Sequence, residues 1–221
     1  MTKLPTTRSP SATPVIGNET GVLLLAAGFS RRFGDIKLQA RLRNGSSVFE
    51  QTLARIAAAT PRILVVTRPD LTEVPLATQR IAQGPGMDRL GERVRIDVVQ
   101  CPDAHLGMGH TLAFGMAHLP DWKGCLVCLG DMPFIATTTY AQMLAALRRD
   151  RILLPQYEGE TGNPVGFGCD FFPALRTVQG DTGGRDVVRV NREHVQLLTV
   201  SDAAILQDID TPEDMLRLDG V

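Results

Sequence analysis

The run Gly21 to Ala26, GVLLLA, carries no polar side chain, so a strand built from it has to be covered on both faces. Such a strand belongs inside a parallel sheet with helices above and below, and the chain goes on to alternate apolar strands with amphipathic helices. Val48 to Ala59 sets Phe49, Leu53, Ile56 and Ala57 at helical spacing. Arg62 to Thr67 and Val94 to Gln100 read as the next two strands. Between them, Arg68 to Arg93 holds three prolines and three glycines and predicts an irregular connection with a short helix near Leu76 to Ile81. Gly107 to Leu119 predicts a helix opened by a glycine-rich turn, Lys123 to Gly130 a fourth strand, and Thr138 to Arg149 a further helix. Ile152 to Pro155 and Pro164 to Gly168 predict two strands around the polar turn Glu158 to Asn163, and Val195 to Val200 a last short one. Thr211, Pro212 and Asp214 are the N-cap, the first turn and the capping-box partner of a final helix. The expected fold is α/β, a three-layer, Rossmann-like, mainly parallel sheet forming a single domain over residues 21–221, behind a flexible tail of residues 1–20.

Composition narrows the function. A net charge of −1 argues against holding nucleic acid by broad phosphate neutralisation, although the pair Arg31 and Arg32 could bind a small polyanion. No apolar stretch is long enough to span a bilayer, and residues 1–20 contain nothing like a signal peptide, so no membrane partner and a cytoplasmic location are expected. The four cysteines make no disulfide framework. Cys125 and Cys128 spell C-x-x-C within the strand CLVCL, where residues three apart face opposite sides of the sheet, so they read as buried structural thiols.

The first strand runs into LAAGFSRRFGDIK, Leu25 to Lys37, at the carboxyl edge of the sheet, where open α/β folds bind ligands. Gly28 lets backbone N–H groups approach an anion, while Arg32 and Lys37 add positive charge. Five residues separate Gly28 from Gly34 and Lys37 is not adjacent to the second glycine, which excludes a Walker A loop, and no G-x-G-x-x-G follows the strand. On its own residues the loop fits an ordinary strand-to-helix turn with solvated arginines equally well. Asp131 follows a buried strand directly, and Asp208 and Asp210 follow a segment read as strand-like. Magnesium prefers oxygen and takes one or two carboxylates beside phosphate oxygens, so one aspartate from each segment would suit it. Taken separately, Asp131 could equally cap a turn and Asp210 precede a helix. His110, at the glycine-rich turn, could touch a ligand, while His118 and His194 read as surface residues, and no histidine pair has metal-site spacing.

LAAGFSRRFGDIK resembles the A-A-G-x-S-x-R-M-G-x-x-K signature of the MobA-like nucleotidyltransferases, which include the molybdenum cofactor cytidylyltransferases, with Phe33 in place of methionine. GDMP at Gly130 and DIDTPED at Asp208 resemble the same family, and the resemblance runs from Gly21 to Leu218. It implies the nucleotide-diphospho-sugar transferase type of fold. It implies that Leu25, Ala26, Ala27, Gly28, Ser30, Arg32 and Lys37 hold the triphosphate, with Arg32, Lys37 and Asp131 as the catalytic set. It also implies that Asp131 and Asp210 bind Mg²⁺, with Asp208 in reserve. Ala26-Ala27-Gly28 and the turn Gly107-Met108-Gly109 resemble the members that use CTP, which assigns Gly107, Met108 and Gly109 to nucleotide binding as well. GNPVGF and GDTGGR resemble the family's G-H-P-V-x-F and G-D-x-G-x-R, which places the acceptor at Asn163, Pro164, Asp181 and Arg185, with Asn163 where histidine is usual. From residue chemistry alone Arg185 also reads as a solvated loop arginine. The implied reaction is transfer of CMP from CTP to the terminal phosphate of molybdopterin with release of pyrophosphate, and the implied partners are CTP, the molybdenum cofactor and, transiently, a molybdenum hydroxylase or its chaperone. A GTP- or sugar-phosphate-using transferase of the same fold, an NAD(P)-dependent oxidoreductase and a non-catalytic cofactor carrier remain alternatives.

Overall fold

The structure is a computed structural model that describes residues 19–30, 32–33, 36–84 and 93–220. Most of the expected N-terminal tail, Arg31 and Gly34 of the loop, and residues 85–92 of the long connection lie outside the described residues.

β1 (Thr20–Leu25) lies at the centre of the parallel part of the sheet, pairing with β2 (Arg62–Thr67) on one side and β4 (Gly124–Leu129) on the other. β3 (Arg95–Gln100) adds outside β2. On the far side, β7 (Val165–Gly168) runs antiparallel to both β4 and β5 (Ile152–Tyr157), while β6 (Glu160–Thr161) and β8 (Val195–Thr199) also pair with β5. The order is β3-β2-β1-β4-β7-β5-β6, with β8 beside β5, an eight-stranded, mainly parallel sheet.

Alternate residues of β1 feed two cores. Val22 and Leu24 pack with α1 (Val48–Ala57), α2 (Glu73–Gln83) and α4 (Thr137–Ala146). Leu23 and Leu25 pack with α3 (Met108–Ala117), α5 (Phe172–Leu175) and α6 (Arg185–Val190) on the other face. Cys128 falls in the first core and Cys125 in the second, so the C-x-x-C sulfurs are separated by the sheet, and burial raises both thiol pKa values.

The long connection holds more order than its prolines suggest. α2 runs from Glu73 to Gln83 because Pro75 sits in its first turn, where no intrahelical acceptor is needed, and Val74 and Ala77 bury against the sheet. The segment before Asp208, read as strand-like, is instead the 3₁₀ turn Ala203–Leu206. The final helix, α7 (Pro212–Leu218), carries the reciprocal Thr211–Asp214 capping box that its sequence predicts.

Glu50 ties α1 to its surroundings: it closes a capping box with Ser47 and pairs with Arg41 and Arg80. Burial alone would raise its pKa, but the Ser47 N–H and Arg80 more than reverse this and hold it below 4.5. The stability it adds is present above the unfolded value and is lost as pH falls through the lower folded one. Glu50→Gln should therefore cost about 1 kcal/mol at pH 7, a gap that thermal melts should show closing at strongly acid pH.

Candidate functional site

The carboxyl ends of β1 and β4 meet where the sheet is extended in both directions, Leu25 standing opposite Leu129. Ligands of open α/β sheets bind in the crevice at such a switch point. Pairing continues one residue past each strand: the Ala26 N–H donates to the Val66 carbonyl at 2.8 Å and the Gly130 N–H to the Leu25 carbonyl at 2.9 Å. The next residues, Ala27 to Ser30 on one side and Asp131 on the other, therefore leave the sheet together.

Ser30 takes a left-handed φ of 50°, and its Oγ accepts the Lys37 N–H at 3.3 Å, which closes the loop over the 3₁₀ turn Lys37–Gln39. Lys37 Nζ then lies 2.7 Å from Asp131 Oδ2 and 2.8 Å from Asp210 Oδ1. Arg32, far more exposed, reaches Asp210 Oδ2 at 3.5 Å. The C-terminal segment is fixed by Ile209, which is fully buried and whose N–H donates to the Asp131 carbonyl at 3.1 Å. Asp208 and Asp210 flank that anchor, and ligand oxygens of Asp131, Asp208 and Asp210 lie within 4.8 Å of one another.

Asp131 and Asp210 thus share one buried ammonium, with Asp208 beside them. Burial alone would lower the Lys37 pKa, but Asp131 and then Asp210 reverse this and raise it above the ordinary lysine value. Burial pushes Asp131 above the usual carboxylate value; Lys37 pulls it back and Asp208 adds to the rise. Asp131 Oδ1 is buried without a hydrogen-bond partner among the described residues. An oxygen-only cluster with an orphaned buried carboxylate oxygen fits a hard divalent cation.

Two cavities flank this cluster. One, of about 330 Å³, is lined by Leu25 to Ser30, Lys37, Gly107, Met108, Asp131 and Asp181. The other, of about 360 Å³, lies over the second core and is lined by Asn163, Val165, Phe167, Asp181 and Arg185. A cleft of about 590 Å³ joins them, with Ser30, Arg32, Lys37, the three aspartates, Asn163 and Arg185 on its walls. The structure therefore brings together the loop, the acids and most of the residues assigned to the acceptor. Pro164 follows Asn163 through a cis peptide and lines none of the three spaces.

Gly107 and Gly109 pack closely against the segment Gln179 to Asp181, and Gly107 also lines the first cavity. Gly107 has φ 117°, and a Cβ there would fall 2.4 Å from Asp181 Oδ1. The Gly109 N–H donates to the Gly180 carbonyl at 2.6 Å and Gly109 lines neither cavity. The His110 ring is likewise turned to the Gly180 N–H, at 3.3 Å. The turn before α3 and the loop carrying Asp181 and Arg185 are thus packed as one wall. One participant is absent from the sequence reading: Arg68, whose Nη1 donates to the Gly28 carbonyl at 3.0 Å. It sits in no motif, and its only sequence signal is an arginine directly after an apolar strand.

Residues 22–197 match the MobA-like NTP transferase domain. The chain belongs to that family. Asp208 and Asp210 lie beyond the matched segment, so their place in the site rests on the fold. This transferase is 28% identical over 201 residues to the purine catabolism protein PucB of Bacillus subtilis strain 168, covering 88% of this chain and 94% of PucB. It is 32% identical over 120 residues to the nicotine blue oxidoreductase of Paenarthrobacter nicotinovorans, covering 51% of this chain and 59% of that protein. The crystal structure of Rv0371c from Mycobacterium tuberculosis H37Rv superposes with TM-score 0.70 at 26% identity, over 91% of this chain and 98% of that one. A manganese complex of the same protein gives TM-score 0.69 at 24% identity, with the same coverage.

Proposed function

We propose that this nucleotidyltransferase moves CMP from CTP to the terminal phosphate of molybdopterin, releasing pyrophosphate. The observation that carries the reading is the single cleft in which the Gly28–Lys37 loop, the aspartates and Arg185 face one another. Ala27 to Ser30 offer backbone N–H groups to the triphosphate, and Arg32 and Lys37 neutralise its oxygens. A phosphate monoester is already ionised near neutral pH, so no general base is required. The protein's work is to hold two anions in line and to meet the charge that develops on the departing pyrophosphate.

Asp131 and Asp210, with Asp208 beside them, would hold Mg²⁺, which supplies Lewis-acid neutralisation of the phosphate oxygens. The manganese complex of the similar mycobacterial protein supports a divalent ion in this fold. Asn163 and Arg185, across the cleft from the loop, are the residues we assign to the acceptor, and Asp181 stands at the boundary of the two cavities. The substrates of such a transfer are cytoplasmic, and we place the protein there, with a molybdenum hydroxylase or its chaperone receiving the product.

Pyrophosphate release should require Mg²⁺, the molybdenum cofactor and CTP, with GTP at least tenfold poorer. Equal rates with GTP, or release indifferent to the acceptor, would reject this assignment. The similarity to nicotine blue oxidoreductase favours a second reading, an NAD(P)-dependent reductase. NADPH binding at micromolar concentration without triphosphate binding would establish it instead.

A further inference from the structure

We propose that Arg68 is a positioning residue for the phosphate loop, setting the Gly28–Ser30 backbone in the form that receives a triphosphate. The inference rests on the NTP-transferase reading above and adds to it a residue that lines none of the three spaces of the site.

Arg68 is the first residue after β2, at the same edge of the sheet as the loop. Its guanidinium is held in three ways. Nη1 donates to the Gly28 carbonyl at 3.0 Å, Nε lies 2.9 Å from Asp70 Oδ1 as an ion pair without hydrogen-bond geometry, and the guanidinium carbon stands 4.1 Å from the centroid of the Phe29 ring. The side chain is only 8% exposed, so a desolvated charge is kept against a loop backbone. Burying it is costly unless it is well paired. Asp70, two thirds exposed, supplies the counter-charge from outside.

The grip on Gly28 has a directional consequence. The peptide is planar and trans, so a Gly28 carbonyl fixed on Arg68 sends the Phe29 N–H the opposite way. No described residue accepts that N–H. Gly28, Phe29 and Ser30 all line the cavity beside Lys37, and Ser30 holds its left-handed φ of 50° one residue further on. Successive N–H groups turned by a left-handed residue form an anion-binding concavity. Phe29 is 44% exposed and has no place in either core, so the stacked guanidinium is its main support. Carbonyl and ring are held by one rigid plane, which is why lysine is a poor substitute at this position.

The test compares the wild type with Arg68→Ala and Arg68→Lys in the full chain. Hydrogen exchange without nucleotide is read on the 27–33 amides and on the β1 and β4 amides, and CTP and GTP binding is titrated with Mg²⁺. Arg68→Ala should exchange about tenfold faster at the Phe33 amide, which donates to the Ser30 carbonyl, with β1 and β4 unchanged. It should bind the triphosphate about tenfold more weakly or worse, with kcat at saturation within about threefold of wild type. Arg68→Lys should recover part of the affinity. Unchanged exchange and affinity in Arg68→Ala would overturn the role. So would faster exchange spread equally through β1 and β4, since Arg68 would then support the fold as a whole. A wild-type protein that binds neither triphosphate overturns this role together with the transferase reading, whereas tight wild-type binding that Arg68→Ala leaves intact overturns this role alone.

Discussion

Replacing Asp131 by asparagine should lower nucleotidyl transfer by about a thousandfold or more while leaving the melting temperature at pH 7 unchanged or raised. Both outcomes have one cause. Asp131 is squeezed between burial and the nearby Asp208 carboxylate, and the one ammonium that opposes them, Lys37, is shared with Asp210. Its folded pKa therefore stands above the unfolded value, so the stability linked to its proton is present at acid pH and is lost as pH rises through the folded pKa. Near neutrality the wild type bears the cost of an ionised Asp131, and the isosteric amide does not. The amide also cannot offer a divalent cation the charged oxygen that Asp131 Oδ1 provides. Melts of both proteins between pH 4 and pH 8 should converge on the acid side. A fully active Asp131→Asn protein would remove the carboxylate from the mechanism, and a large loss of melting temperature would show that it serves the fold.

The sequence makes this edge of the sheet legible because burial on both faces leaves a clear mark. GVLLLA and CLVCL are both apolar throughout, the first running through Ala27 into Gly28 and the second into Gly130 and Asp131. That places Gly28 and Asp131 at the same edge, and the register of Leu25 on Leu129 makes them neighbours. The helix α2 is harder to see because Pro75 reads as a breaker until it is known to lie in the first turn. The convergence of Asp208 and Asp210 on Asp131 depends on Ile209, whose burial has no periodic signature in so short a segment. Glycines in the turn before α3 are visible as a motif, but their close approach to Gly180 and Asp181 is a tertiary contact that no local pattern carries. Arg68 is invisible for the same reason: nothing in a string of residues states that a guanidinium after β2 will lie against a carbonyl forty positions earlier.

Lys37→Met should show the opposite balance, losing stability and activity together. Its ammonium is the one cation bonded to both Asp131 and Asp210 among the described residues, and both contacts are under 3 Å. Removing one partner of a buried pair leaves the other uncompensated, worth about 3 kcal/mol or a fall of roughly 6–12 °C in melting temperature for a domain of this size. Asp131 would then have its folded pKa raised further, so the variant's deficit should shrink as pH falls through the carboxylate range. Magnesium at millimolar concentration should also narrow it, because a divalent cation would restore the charge that the lysine supplied. The wild type, with Lys37 already between the acids, should respond less. Transfer by Lys37→Met should fall by about a hundredfold to a thousandfold even when Mg²⁺ restores the fold, since, on the proposed reading, a metal among the aspartates does not replace the ammonium that meets the triphosphate. A variant that melts like the wild type and ignores Mg²⁺ would mean that Lys37 does not balance the cluster and that the three aspartates do not gather an ion.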